Sequence, residues 1–209
     1  SKKIIFIHAV SVGEVLASRK FVEEVKKRFP NHQILITCTT QTGSATIRRI
    51  YGNSVLHQYL PYDLKFFIKR FLKLWKPEIT FIIETEIWPN LIDQLSKQKR
   101  KVFLVNGRLS EKSFRRYKSF LPILDNVFEK IDFTVCQGSE DLERFVELGI
   151  QGPVYIITDE NVMQLYGRAA QWSLQRSGIA AHCFIIPAGE SSKNFKLAQA
   201  IYEWLVSLK

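Results

Sequence analysis

In the stretch Ile7–Val15 (IHAVSVGEV), a run of apolar residues gives way through Ser11 and Gly13 to Glu14, where helical periodicity begins. A carboxylate in a first helical turn interacts favourably with the helix dipole, and a glycine suits a tight turn. Neither placement requires chemistry. The same carboxylate at the end of a buried strand, covered by a substrate, would have its pKa raised towards the range of a general base. Position alone leaves both readings open.

A second acidic site follows another apolar run, in Phe81–Asn90 (FIIETEIWPN). Glu84 and Glu86 are two residues apart, so both project to one face if the strand persists. Two carboxylates side by side repel unless a cation or a hydroxyl lies between them. An ordinary core strand gains nothing from that pair, which points to function. Pro89 suits the first turn of a following helix.

Two polar loops complete the set. Thr39–Ser44 (TTQTGS) offers the hydroxyls of Thr40 and Thr42 and backbone N–H groups around Gly43, suited to an anion or a sugar at a helix start. Plain capping by Thr42 or Ser44 accounts for the same residues, and the GxxxxGK spacing of a phosphate-binding loop is absent. Asn106–Ser110 (NGRLS) places Arg108 where it can meet a phosphate or carboxylate. There Ser110, with Ser113, also reads as a helix cap. The four histidines show no metal-ligand spacing, and only His8 lies beside a candidate site.

Positioning these loops requires short β-rich runs alternating with amphipathic stretches. The sequence predicts strands at 3–8, 33–39, 54–59, 79–84, 101–105, 132–136, 153–158 and 182–186. Helices are predicted at 14–29, 43–51, 64–75, 89–98, 119–130, 139–148, 161–177 and 194–207. Continuous Ile/Val/Phe strands between helices imply an α/β fold with a mostly parallel sheet covered on both faces. Ligands of such sheets bind at the carboxyl ends of the strands. The polar loops all follow predicted strands.

The 209 residues, 46% hydrophobic and 24% charged, suffice for one large domain or two small ones. The net charge of +10 is uneven: residues 1–150 hold 25 Lys/Arg against 16 Asp/Glu, and residues 151–209 hold 5 against 4. Basic clusters at Lys97, Lys99, Arg100, Lys101 and at Arg115, Arg116, Lys118 suit an anionic partner, or are simply solvated helix faces. No nucleic-acid-binding motif appears. Cys38, Cys136 and Cys183 lack paired or metal spacing, as expected of reduced, mostly buried cytosolic thiols. No signal peptide and no apolar stretch of membrane-spanning length is present.

Taken together, six ordered blocks resemble the N-terminal domain of 3-deoxy-D-manno-octulosonic acid (Kdo) transferases. They are IHAVSVGEVLA, TCTTQTGSATIRR, YLPYDL, IIETEIWPNLI, VNGRLSEKSFRRY and CQGSEDLERFVELG, within residues 4–149. The resemblance implies the first Rossmann-like half of a GT-B glycosyltransferase, in residues 1–150. It implies transfer of Kdo from CMP-Kdo to a lipid A precursor in lipopolysaccharide biosynthesis, at the cytoplasmic face of the inner membrane, without a metal. Glu14 corresponds to the family's catalytic base and Glu84 to its second essential acid. Ser11, Gly13, Thr40, Thr42, Gly43, Glu86, Asn90, Arg108 and Ser110 form the expected substrate-binding set. The anionic membrane is the expected second partner. The hydrophobic segment that precedes this domain in the family is not seen, and the pattern stops near Ile150. The chain is therefore expected to be an incomplete enzyme, peripheral to the membrane and inactive alone.

Residues 152–209 resemble instead the N-terminal part of 3-dehydroquinate synthase, on VYIITDENVMQLYG and IIPAGESSKNFKLAQAIYEWL. That resemblance implies a partial Rossmann-like segment in 151–209, with Asp159, Asn161, Glu190 and Lys193 matching positions near NAD. The Gly-rich loop, the metal ligands and the catalytic domain do not follow, so these residues are expected to be remnants. An NAD-binding fragment is the alternative function, and a non-catalytic module held to membranes by Arg115, Arg116 and Lys118 is a third. The tail is expected either to add strands 153–158 and 182–186 to the first sheet or to form a small satellite.

Overall fold

The computed structural model describes residues 2–84, 86–124, 126–151, 154–169, 171–172, 180–192, 196–197, 200–201 and 204, omitting the side chains of Ser139, Val154, Ala181 and Glu190. The chain divides into two compact units, residues 1–151 and 152–209.

In the first unit, strands β1 (Lys3–His8), β2 (His32–Cys38), β3 (Leu56–Tyr59), β4 (Pro77–Ile83), β5 (Lys101–Gly107) and β6 (Phe133–Cys136) form one sheet. All its pairings are parallel, in the order β3-β2-β1-β4-β5-β6. Between them run helices α1 (Val12–Ala17), α2 (Arg19–Arg28), α3 (Gln41–Tyr51), α4 (Lys65–Trp75), α5 (Pro89–Lys97), α6 (Glu111–Phe120) and α7 (Ser139–Glu147). This Rossmann-like order reverses direction between β1 and β4, which places a crevice at their carboxyl ends.

Alternation along β1 explains why both faces are covered. Ile5 and Ile7 join a core with Val15, Val22, Ile36 and Ile47, from the α1–α3 side. Phe6 joins a second core with Phe71, Leu72, Ile82, Leu91 and Phe145, from α4, α5 and α7. Burying each such side chain contributes about 1.5–3 kcal/mol.

Several boundaries differ from expectation, three of them for a visible physical reason. The helix predicted at 14–29 breaks at Ser18, whose hydroxyl bonds back to the Val15 carbonyl at 3.1 Å, a local alternative to the helical ladder. The helix predicted at 119–130 lies earlier, at Glu111–Phe120, followed by 3-10 turns at Leu121–Ile123 and Val127–Lys130. Pro122 is the second residue of the first of these turns; inside a continuing helix its ring would clash and a backbone donor would be lost. The strand predicted to 84 ends at Ile83, because Glu84 turns into the left-handed region with φ 61°.

In the second unit β7 (Val154–Asp159) and β8 (Ala181–Ile186) pair in parallel with each other, as a two-stranded sheet of their own. A short helix α8 (Glu160–Val162) leads into a π-helical turn, Met163–Gly167. Most of the helix predicted at 194–207 lies outside the described residues; 196–197, 200–201 and 204 are helical.

Candidate active site

Glu14 sits in the first turn of α1, 7% exposed, directly after β1. Ser11 caps the helix: its hydroxyl accepts from the Glu14 N–H at 3.3 Å and donates to Glu14 Oε1 at 2.8 Å. The Val10 N–H donates to Glu14 Oε2, also at 2.8 Å. This reciprocal Ser-x-x-Glu arrangement is a variant of the capping box. Each carboxylate oxygen thus holds one internal bond and keeps accepting capacity for another. Burial pushes the Glu14 carboxyl above its ordinary pKa. The Val10 and Ser11 bonds pull it down, and the charges of Glu86 and Glu84 push it up again. Structural and chemical readings of Glu14 are therefore compatible: the cap fixes the direction of a carboxylate that burial makes more basic.

Glu84 and Glu86 follow β4, on the other side of the reversal point. Because the strand ends before Glu84, the pair is not arranged by strand alternation. Glu84 adopts φ 61°, a region rare for non-glycine residues, while its N–H still donates to the Val105 carbonyl at 2.9 Å. The Trp88 indole N–H donates to Glu86 Oε2 at 2.9 Å. The charges of both glutamates thus act on Glu14 from the adjacent loop at the switch point.

The rest of the expected set divides. Gly13 has no positive φ and lies inside the first turn of α1; a Cβ there would meet only Ser11 Oγ, at 3.8 Å. No tight turn and no internal crowding requires a glycine at this exposed position beside Glu14. Gly43 is different, since its Cβ would lie 2.8 Å from Thr40 Oγ1 and 3.3 Å from the Val10 carbonyl, so packing demands glycine. Thr40, rather than Thr42 or Ser44, caps α3: it accepts from the Gly43 N–H at 3.1 Å and donates to the Val10 carbonyl at 3.3 Å. Thr42 is exposed, and Ser44 bonds His57 Nε2 at 2.8 Å. Asn90 is committed to Asp63: its N–H and that of Leu91 donate to the Asp63 carboxylate, both at 2.9 Å, and its amide donates to the Asp63 carbonyl at 2.7 Å. Ser110 caps α6 through the Ser113 N–H at 3.2 Å, and Arg108 is exposed after β5.

Two residues were not assigned roles from sequence. Asp63, in the quoted block YLPYDL, caps α5 from a different loop; burial pushes its carboxyl up against the opposing pull of those bonds. His8 is fully buried, its Nδ1 2.7 Å from Thr37 Oγ1, with an edge contact to Trp88 at 5.2 Å between ring centres. Desolvation lowers its pKa to about 3, so it is a neutral imidazole in the wall behind the site.

In the second unit Asp159 caps α8, accepting from the Val162 N–H at 2.9 Å, and Asn161 is exposed in that helix. Glu190 begins a 3-10 turn, and Lys193 lies outside the described residues. The clusters around Lys97 and Arg115 are largely ion-paired: Lys97–Asp93 at 2.7 Å, Lys101–Asp132 at 2.5 Å, Arg115–Glu111 at 2.8 Å and Lys118–Glu147 at 3.0 Å. Two surface clefts, one lined by His32 and Leu56 and the other by Lys101 and Asp132, open at the amino edge of the sheet, away from Glu14. Among the described residues no group of His, Cys, Asp and Glu is gathered for a metal ion, and no helix is long and apolar enough to cross a membrane.

The fold and site define a Rossmann-like domain with acids at its switch-point crevice. Its fold is shared by a crystal structure assigned to a UDP-N-acetylglucosamine 2-epimerase from Listeria monocytogenes, with TM-score 0.50 and 9% identity over 95% of this chain and 65% of that one. The family model for 3-deoxy-D-manno-octulosonic-acid transferase (kdotransferase) matches residues 1–160. The 3-deoxy-D-manno-octulosonic acid transferase of Haemophilus influenzae is 39% identical over 145 residues, 69% of this chain and 34% of that protein. The enzyme of that name from Rickettsia felis is 36% identical over 157 residues, 74% and 33% of the respective chains. The chain belongs to the Kdo transferase family and spans about a third of the length of these curated relatives.

Proposed function

We propose that this chain is the acceptor-binding half of a glycosyltransferase of lipopolysaccharide biosynthesis, which transfers Kdo from CMP-Kdo to a lipid A precursor. The observation that supports it best is the gathering of Glu14 with Glu84 and Glu86 across the β1/β4 switch point. Glu14 acts as general base. It takes the proton of an acceptor sugar hydroxyl as that oxygen bonds to the anomeric carbon of Kdo. The bond from that carbon to the CMP phosphate oxygen breaks, and configuration inverts. A carboxylate made more basic by burial is a better proton acceptor.

Gly13 is compatible with this reading, because it is exposed beside Glu14 and packing does not require a glycine there. Glu84 is the second acid, and its left-handed backbone supports a role outside the fold's own needs. Family membership supports the donor and acceptor classes. The work is done at the cytoplasmic face of the inner membrane, with the protein peripheral to the bilayer.

The test uses the 209-residue chain with a lipid A precursor, alone and with CMP-Kdo. Acceptor binding without turnover is expected, and robust transfer by this chain alone, or no acceptor binding, would refute the assignment.

A further inference from the structure

We propose that the exposed flank of α4, together with the turn that precedes it, is the surface by which this protein lies on an anionic lipid bilayer. This deepens the peripheral location in the functional reading, and its physical basis is independent of Glu14.

The first observation is apolar exposure. Tyr62 is 83% exposed, Leu64 58%, Phe66 70%, Phe67 43% and Leu74 73%. These residues are not scattered. Phe66 and Leu74 are eight residues apart on α4, and Phe67 and Leu74 seven, so they share one flank, with Arg70 and Lys73 among them. The opposite face, Ile68, Phe71 and Leu72, is buried in the core. Large exposed apolar groups concentrated on one surface mark an interaction site rather than ordinary surface.

The second observation is charge. From Leu64 to Pro77 the sequence carries Lys65, Lys69, Arg70, Lys73 and Lys76 and no acid. All five are exposed, and among the described residues none is ion-paired. That separates α4 from the clusters around Lys97 and Arg115, whose cations face Asp93, Glu111, Asp132 and Glu147.

Third, the start of the helix gains nothing locally from this composition, although Lys73 in its last turn suits the dipole. Its N-cap is Leu64, with no side-chain cap bond, and its first turn holds Lys65 and no acid. A cation there opposes the helix dipole. The unpaired cations and exposed aromatics at the start of the helix therefore suit something outside it. Aromatic and aliphatic groups interleaved with Lys and Arg suit a helix lying in the plane of a bilayer interface. A nucleic acid would use the cations and leave Leu64 and Leu74 in water.

Fourth, the surface is tied to the site. Asp63 anchors the turn before α4 to the N-terminus of α5, immediately after Glu84–Trp88. Tyr62, Leu64, Phe66 and Phe67 thus lie at the carboxyl edge of the sheet, where Glu14 also lies. A membrane held there would present headgroup-level sugars to the carboxylates.

The experiment is co-sedimentation of the full 209-residue chain with vesicles of mixed phosphatidylglycerol and phosphatidylcholine, free of acceptor. Binding is expected to these vesicles and to fall sharply with pure phosphatidylcholine or with high salt. The pair Phe66→Ser and Phe67→Ser, both at exposed positions, should lower partitioning about tenfold or more. Lys69→Gln with Arg70→Gln should do likewise, at about fivefold per charge, whereas Arg115→Gln with Lys118→Gln should stay within twofold. A Phe66→Trp variant should show a blue-shifted emission on anionic vesicles only, a readout that folding defects would not mimic. Partitioning unchanged by the α4 variants, or lost only with the Arg115 and Lys118 variant, would overturn the proposal, as would tighter binding to duplex DNA than to the vesicles. Glu14→Gln should bind vesicles normally, so failure here and failure of the base assignment are read separately.

Discussion

Ser11 caps α1 immediately after β1, and Asp159 caps α8 immediately after β7; each is an oxygen acceptor on a strand-to-helix turn. The surroundings differ. β1 lies between β2 and β4 in a six-stranded sheet, so the loop after it meets the loops of two neighbours. Val10 shows the result: its N–H bonds Glu14, and its carbonyl accepts from the Thr39 N–H and the Thr40 hydroxyl. β7 has β8 alone as its strand neighbour among the described residues. The same local chemistry thus yields a cap in both units, and a constellation of acids only where a second strand brings its own loop alongside. Family resemblance at a single loop is weak ground for a site, since the turn carries the motif and the sheet carries the geometry.

The sharpest way to test that contrast is to remove an acid from each unit. In a full-length relative whose corresponding segment is replaced by residues 1–151, Glu14→Gln should lower transfer about a hundred- to ten-thousand-fold. With the second unit attached, Asp159→Asn should leave transfer within twofold. Steady-state assays with CMP-Kdo and a lipid A precursor measure both.

A smaller effect concerns the pH dependence of the first unit. Burial holds His8 neutral, with its pKa at about 3, against about 6.5 in an unfolded chain. Between those values the unfolded chain binds a proton that the fold refuses. Stability from this group is complete above the upper value and falls as pH drops towards the lower. At about pH 4 the loss is about 3 kcal/mol. Glu14 works in the opposite sense, since its raised pKa lets protonation relieve the folded state, and it offsets part of that loss. Urea unfolding followed near neutral pH and at about pH 4 should show the decrease, and His8→Gln should flatten it.

The smallest effect concerns the caps. Thr40→Ala should cost about 1 kcal/mol, because it frees the Gly43 N–H and loosens the link to Val10. Asp159→Ala, at a three-residue helix, should cost less in thermal unfolding. A larger cost at Asp159 would break the contrast between the units.

Much of this was legible in the chain. The apolar runs predict the eight strands seen among the described residues to within two residues at either end, because buried parallel strands read as continuous Ile/Val/Phe segments. Helix α6 was displaced in prediction because Phe114, Tyr117, Leu121, Leu124 and Phe128 extend an apolar period past Pro122, while Ser110, Glu111 and Lys118 already marked the true ends. Glu14 and Glu84 were identifiable as acids after strands. Their shared crevice was not, since it follows from the strand order. Nor could spacing show that Asn90 is held by Asp63, a residue from a distant loop. Gly13 and Gly43 look alike in sequence, and only the space around each distinguishes them.

The left-handed backbone at Glu84 carries a consequence for engineering. Glycine adopts φ 61° without steric cost, so Glu84→Gly would relax the turn after β4. Selection for thermal resistance alone would thus favour exchanging that carboxylate for hydrogen. Under the role proposed for Glu84, heat tolerance and sugar transfer make opposite demands on this one position, and a library screened only for melting temperature would drift towards a sturdier protein without that carboxylate.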